Sequence, residues 1–272
     1  MPGVPNFDTP LLTVRDLRVS YKDERQPRFT AVRGVDFSIR RGEVLGLLGE
    51  SGSGKTSIGM ALLRMLPASA EQTGEVCFRG QNLATISEDE MRSIRGAHLS
   101  MIFQDPALAL SPLMMVGDQV SEVLRAHNGW SGKQSRDLAY ALLEELEMGD
   151  IERIYRAYPH QLSGGQCQRI LIAQALVCKP ELVIADEPTA SLDAITALEI
   201  LNLLRRFKQQ HSIAFLLISH DPAMVSAIAD TVGVMQEGKI VEQGPTDQIL
   251  NHPRHPYTQA LLGARQPMPQ LA

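Results

Sequence analysis

Cysteine is scarce in this 272-residue chain: Cys77, Cys167 and Cys178 are odd in number and lack C-x-x-C spacing. Such thiols read as reduced, which excludes a disulfide frame or a zinc site. Long apolar runs are missing too. The longest are six or seven residues, far short of the roughly 20 that a bilayer-crossing helix needs. No charged–apolar–small leader opens the chain, whose first ten residues are polar and proline-rich; the expectation is a protein made and kept in the cytosol. Basic blocks are also absent. The 26 Lys and Arg are mixed with 31 Asp and Glu along the whole length, giving a net charge of −5, which argues against nucleic acid as the main partner. Internal repeats and low-complexity tracts are lacking. Length and composition suit one large α/β domain, or a domain with an inserted lobe.

What is present starts with a loop. Val44-Leu45-Gly46-Leu47-Leu48 leads into Gly49-Glu50-Ser51-Gly52-Ser53-Gly54-Lys55-Thr56, and apolar residues at helical spacing follow: Ile58, Ala61, Leu62, Met65 and Leu66, ahead of Pro67. G-x-x-x-x-G-K-T between a strand and a helix is a cradle for a nucleoside triphosphate, ATP or GTP. Its glycines let backbone N–H groups point at phosphate oxygens with no Cβ in the way. Lys55 supplies positive charge near the β- and γ-phosphates, and the Thr56 hydroxyl is a ligand for Mg2+. The helix turns the positive end of its dipole toward the anion.

Two kinds of strand pattern flank this loop. Residues 11–21 and 35–40 read as antiparallel strands; Val35, Phe37 and Ile39 alternate with Asp36, Ser38 and Arg40, which suits a sheet with one wet face. Residues 74–78 add a short strand to it. The runs 44–48, 182–185 and 213–218 are continuously apolar instead, as strands are when helices cover both faces. Each ends in polar residues: the phosphate loop, Asp186-Glu187 and Ser219-His220. Ligands of parallel sheets sit beyond such carboxyl ends. Between about 105 and 168 the pattern is helical, with stripes at Val116, Val120, Val123 and Leu124 and at Leu138, Leu142 and Leu146, separated by residues 128–132. The segment 231–235, a turn at Glu237-Gly238 and Ile240-Val241 form a hairpin. From Pro245 the chain is rich in Pro and His, with one short helix over 257–262.

The acidic pair and a second glycine turn carry chemistry. Beside a phosphate loop, Asp186 holds Mg2+ and Glu187 faces the water that attacks the γ-phosphate, as general base or water-orienting group. In Leu162-Ser163-Gly164-Gly165-Gln166, Ser163 is the N-cap of a long helix, and the glycines expose backbone donors at its positive end.

These residues together resemble the nucleotide-binding subunit of an ATP-binding-cassette (ABC) transporter. Leu162-Ser163-Gly164-Gly165-Gln166 matches the signature of that family, Gln104 sits in Met101-Ile102-Phe103-Gln104-Asp105-Pro106, Ser191-Leu192-Asp193 follows the acidic pair, and His220 ends the last core strand. The match covers about residues 11–245. It implies a P-loop NTPase (RecA-like) α/β fold: a parallel-sheet core with an antiparallel β subdomain and an inserted helical lobe at about 105–168. The cassette spans 1–244 and a tail 245–272. It implies two such domains meeting head to tail, with ATP between the phosphate loop of one and the signature of the other. Carried over, Tyr21 stacks on adenine, with edge packing as its alternative role. Gly49, Glu50, Ser51, Gly52, Ser53, Gly54, Lys55, Thr56 and Ser57 hold the phosphates. Gln104 touches Mg2+ or the attacking water, Asp186 supports the metal, Glu187 is the base and His220 contacts the γ-phosphate. Ser163, Gly164, Gly165 and Gln166 serve the partner's nucleotide, and Asp193 is a further nucleotide-binding residue.

The tail narrows the resemblance. Gln243-Gly244-Pro245 leading to His255-Pro256-Tyr257-Thr258 is similar to the ATPases of dipeptide, oligopeptide and nickel importers. That implies permease subunits in the membrane, a second ATPase as homodimer or heterodimer partner, an extracytoplasmic binding protein reached indirectly, and a peripheral place on the cytoplasmic face of the inner membrane. Peptide import is the expectation; nickel import, export, and a soluble ABC ATPase of DNA repair or translation are the alternatives. No Cys follows Cys178, so no iron–sulfur cluster is expected. Cys167, just after the signature, is expected to make the enzyme sensitive to alkylation.

Overall fold

The structure is a computed structural model that describes residues 9–23 and 26–263. The opening segment 1–8 and the end of the tail, 264–272, lie outside the described residues, and with them parts of the leader and tail expectations. Among the described residues the strands are β1 (Leu12–Asp23), β2 (Gln26–Ile39), β3 (Val44–Leu48), β4 (Ala70–Phe78), β5 (Gln81–Asn82), β6 (Leu99–Ile102), β7 (Leu182–Asp186), β8 (Ala214–Ser219), β9 (Thr231–Gln236) and β10 (Lys239–Pro245). The helices are α1 (Lys55–Leu62), α2 (Glu88–Ile94), α3 (Pro106–Ala109), α4 (Val116–Asn128), α5 (Gly132–Glu145), α6 (Ile151–Tyr155), α7 (Gly164–Leu176), α8 (Ala194–His211), α9 (Pro222–Ile228), α10 (Thr246–Asn251) and α11 (Pro256–Gly263). They fall into two compact units. One holds Arg40–Gly42 and Leu83–Leu216; the other holds Pro10–Ile39, Glu43–Asn82 and the chain from Leu217 onward.

The unit with the phosphate loop contains an antiparallel sheet in the order β2-β1-β4-β5. Leu12 faces Ile39, Val14 faces Phe37 and Tyr21 faces Phe29 across β1 and β2. Val35, Phe37 and Ile39 are buried while Asp36 and Ser38 are exposed, the alternation that a half-wet sheet demands. The strand begins well before residue 35. Register shifts in β1–β2, and Gly34 at φ 91, break the period-2 pattern there, so the sequence does not display it. β3 runs parallel to β9, pairing Leu45 with Thr231 and Leu48 with Val234. β9 and β10 form the expected hairpin, and Glu237 (φ 46) with Gly238 (φ 80) makes the left-handed two-residue turn that matches strand twist. α1 stops earlier than expected. Its last residue is Leu62, Arg64 takes φ 51, and Met65 is 41% exposed rather than part of the apolar face.

The other unit pairs β6 with β7 in parallel, Leu99 opposite Leu182 and Ile102 opposite Ala185. β6 has no counterpart among the expected strands: it is four residues long and interrupted by Ser100, whose hydroxyl is satisfied inside by donating to the Ala175 carbonyl at 2.8 Å. α4 packs on α5, α6 and α7, burying Val116, Val120 and Leu124 completely. Of the expected stripe Leu146, at the end of α5, is wholly buried and Leu142 half-buried, but Leu138 is 38% exposed; within the helix the buried residues are Ser135, Ala139 and Leu143. Leu138 and Leu142 share the i,i+4 spacing of Ala139 and Leu143, so periodicity alone does not choose between them. Gly117 is required at its place: a Cβ there would lie 2.2 Å from the Tyr155 ring. The ring thereby reaches α4, where Tyr155 Oη lies 2.8 Å from the Ser121 hydroxyl and donates to Asp118 at 3.2 Å.

Candidate functional site

The buried strand β3 delivers the phosphate loop to the start of α1. Gly54 is the N-cap, at φ 104, and a Cβ on it would lie 2.3 Å from the Ala31 carbonyl of β2. Gly49 is equally closed, with the Met235 carbonyl of β9 2.4 Å from its would-be Cβ. The loop is thus pressed between two strands by residues that only glycine can be. Lys55 is 6% exposed. Its ammonium donates to the carbonyls of Gly49 and Glu50, each at 2.8 Å, and to Ser53 Oγ at 3.3 Å. A buried cation needs such a shell of oxygens; here it sets the lysine beneath the turn of the loop. Tyr21, on β1, lies with its Oη 2.9 Å from Ser57 Oγ, the first turn of the same helix. In the same unit β8 ends in the buried Ser219, which accepts from the Asp221 N–H at 2.9 Å, and the exposed His220 follows it. Asp221 caps α9 by accepting from Ala223 N–H at 3.0 Å, with Pro222 in the first turn.

The other unit holds the remaining candidates. Every residue of β7 is buried; the strand ends in Asp186, 3% exposed, and Glu187, 8% exposed, follows it. Glu187 has φ 47. A left-handed backbone at a non-glycine residue costs free energy and persists where the surroundings hold it, commonly at functional positions. No sequence signal marks it.

Ser163 caps α7 reciprocally: its hydroxyl accepts from the Gln166 N–H at 3.2 Å, and Gln166 Oε1 accepts from the Ser163 N–H at 3.0 Å. Gly165 makes room for α8, since a Cβ there would lie 2.7 Å from Thr196 Cγ2. Asp193 caps α8, accepting from the N–H groups of Ile195 and Thr196, each at 3.1 Å, and from the Thr196 hydroxyl at 2.7 Å. Those bonds, the Thr196 hydroxyl first, hold its carboxyl below the ordinary value. Ser163, Gly164, Gly165, Gln166, Leu192 and Asp193 line one cavity of about 390 Å³. The signature and the segment after the acidic pair, some 30 residues apart in sequence, therefore share one concavity fed by helix N-termini. Gln104 is exposed, in the coil between β6 and α3, where Asp105 caps α3.

Cys167, just after the signature, is half-buried. It donates to the Pro159 carbonyl at 3.4 Å, and burial pushes its pKa up, which lowers its thiolate fraction near neutrality. One contact escaped sequence reasoning altogether: the Glu50 N–H of the phosphate loop donates to Tyr257 Oη at 3.4 Å, across 207 residues of sequence.

Known proteins supply an independent measure. Residues 32–190 match the family model of the ABC transporter, and residues 241–270 match that of the oligopeptide/dipeptide transporter C-terminal region. The chain is 43% identical over 255 residues to the dipeptide transport ATP-binding protein DppD of Escherichia coli (strain K12), covering 93% of this chain and 78% of the relative. It is 42% identical over 257 residues to the peptidoglycan transport ATP-binding protein YejF of Agrobacterium fabrum, covering 94% of this chain and 47% of that one. It thus spans about half the length of some curated relatives and most of others. Among solved structures, the dimeric post-hydrolysis state of the ATP-binding cassette MJ0796, bound to ADP and Pi, superposes with a TM-score of 0.76 at 26% identity, covering 86% of this chain and 98% of that one. The fold is that of the P-loop cassette. With its glycine loop, its signature cavity and more than half its length matched, the chain belongs to the ABC transporter family.

Proposed function

We propose that this chain is the ATP-hydrolysing subunit of a membrane importer for dipeptides or oligopeptides. The observation that carries it is the phosphate loop: a glycine turn closed by two strand carbonyls, with a buried lysine beneath it, is built to present N–H groups and charge to a triphosphate. The C-terminal match to oligopeptide and dipeptide transporters and the name of the relative DppD support the peptide class. No helix among the described residues is long and apolar enough to cross a membrane, which fits a peripheral subunit on the cytoplasmic face, held by permease partners. The cassette takes 1–244 with its lobe at about 105–168, and 245–272 is the importer-type tail.

Phosphoryl transfer needs positioning and charge neutralisation more than covalent chemistry. Gly49 to Ser57 hold the phosphates, and Tyr21 packs on the base. Glu187 draws the proton from the attacking water; its carboxylate is buried and its backbone is held in a left-handed conformation. His220 contacts the γ-phosphate. Thr56, Gln104 and Asp186 offer the hard hydroxyl, amide and carboxylate oxygens that Mg2+ prefers, so the residues fit that ion. When bound, Mg2+ neutralises charge on the phosphate oxygens. Ser163, Gly164, Gly165 and Gln166 act on the nucleotide of a second ATPase, this chain again or a paired one, and Asp193 adds to nucleotide binding; the dimeric state of the MJ0796 cassette supports such pairing.

The test is affinity purification of the tagged chain from gently solubilised membranes, with mass spectrometry of what co-elutes. Two multi-span proteins with a second ATPase are expected. Recovery only from the soluble fraction, with ribosomes or nucleic acid, would overturn the transporter reading.

A further inference from the structure

We infer that Tyr257 is a positioning residue for the phosphate loop, so that the C-terminal tail forms part of the nucleotide site; this rests on the nucleotide reading above. Glu50 is gripped through both of its backbone groups, which lie in successive peptide planes. Its N–H donates to Tyr257 Oη at 3.4 Å, while its carbonyl accepts from Lys55 Nζ at 2.8 Å and from the Ser53 N–H at 3.2 Å. Glu50 stands between Gly49, which is wedged against the Met235 carbonyl, and the stretch of loop whose N–H groups receive phosphate. Rotating the Gly49–Glu50 peptide, whose N–H meets Tyr257 and whose carbonyl accepts from Lys55 Nζ at 2.8 Å, would swing both the lysine's acceptor and the entry to the cradle.

The tail is built to hold the phenol there. Register shifts between Ile240 and Glu242 in the β9–β10 pair, a bulge that re-aims the strand. The Glu242 carboxylate then accepts from the N–H groups of Arg254, at 2.8 Å, and His255, at 3.1 Å. His255 Nδ1 accepts from the Tyr257 N–H at 3.2 Å, and Gln259 Nε2 donates to the Pro253 carbonyl at 2.9 Å. Thr258 is wholly buried, which fixes the first turn of α11. A short helix with this many ties is a rigid arm, and its aromatic tip meets the loop. Burial holds the phenol above its ordinary range, so it acts as a neutral hydroxyl.

The experiment compares the full-length chain with Tyr257→Phe, which keeps the ring and removes the oxygen. MgATP binding is followed by titration calorimetry, hydrolysis by phosphate release, and folding by thermal denaturation. Losing one hydrogen bond to the loop is expected to raise Kd and KM for MgATP about threefold to tenfold. kcat should stay within about twofold and the melting temperature should not change. A variant that binds MgATP as tightly as the unmodified chain overturns the inference and leaves the nucleotide reading intact. An unmodified chain that does not bind MgATP overturns that reading, and this inference with it. Trypsin offers a second readout: MgATP should slow cleavage after Arg254 in the unmodified chain and not in Tyr257→Phe. Equal protection in both would also contradict the inference.

Discussion

The hydroxyl of Tyr21 lies 2.9 Å from that of Ser57, which ties the end of an antiparallel strand to the first turn of the helix behind the phosphate loop. The stacking on a base proposed for Tyr21 and this hydrogen bond are separable. Stacking of an aromatic on a base contributes about 1–3 kcal/mol. Tyr21→Phe should therefore keep MgATP affinity within about threefold. Tyr21→Ala should weaken it about tenfold or more, read by titration. Unchanged affinity in both variants would assign Tyr21 to edge packing alone, and equal losses would assign its role to the Ser57 hydrogen bond.

The Cys167 thiol is held by the Pro159 carbonyl and pushed up by burial, and burial pushes Cys178 further, to about 11. A raised thiol pKa means little thiolate near neutrality. Inactivation by N-ethylmaleimide should thus be slow at pH 7 and quicken as the pH climbs past the ordinary thiol range. Cys167→Ala should be spared. If that variant is inactivated as fast as the unmodified chain, the sensitive thiol lies elsewhere.

Glu242 sets a pH window for the tail. Burial works against its charged form, but hydrogen bonds, the Arg254 and His255 N–H groups among them, prevail and hold the carboxyl below the ordinary 4.5. A depressed folded-state pKa stabilises the anchored tail above the unfolded value, and that contribution is lost as pH falls through the folded value. Amide hydrogen exchange at Arg254 and His255, corrected for intrinsic rates, should show steady protection above about pH 5 and declining protection below it. Glu242→Gln should lack that transition. An identical profile in both proteins would place the anchor elsewhere.

Legibility in the sequence followed how local each interaction is. β3 and β7 could be read because burial on both faces leaves an unbroken apolar run ending in polar residues. The Ser163–Gln166 cap could be read because a capping box has fixed i,i+3 spacing. β6 was hidden by Ser100, whose partner, the Ala175 carbonyl, is remote. The burial of Ala139 rather than Leu138 on α5 depends on which neighbour fits closely against α4, and a hydrophobic period does not encode that. The left-handed backbone of Glu187 carries no compositional mark, since glycine is the residue that announces positive φ. The Tyr257–Glu50 contact joins the tail to the phosphate loop across 207 residues and follows only from the folded chain.

Glu187 bears the central claim, that this chain hydrolyses ATP with a buried carboxylate as base. General-base catalysis contributes about 10²–10⁴ in rate. The decisive measurement is phosphate release from MgATP by the unmodified chain and by Glu187→Gln, with bound nucleotide and dimer formation followed in parallel. The account predicts turnover by the first; the second should bind MgATP, dimerise more stably and turn over at least about a hundredfold more slowly. Near-normal turnover by Glu187→Gln would contradict it.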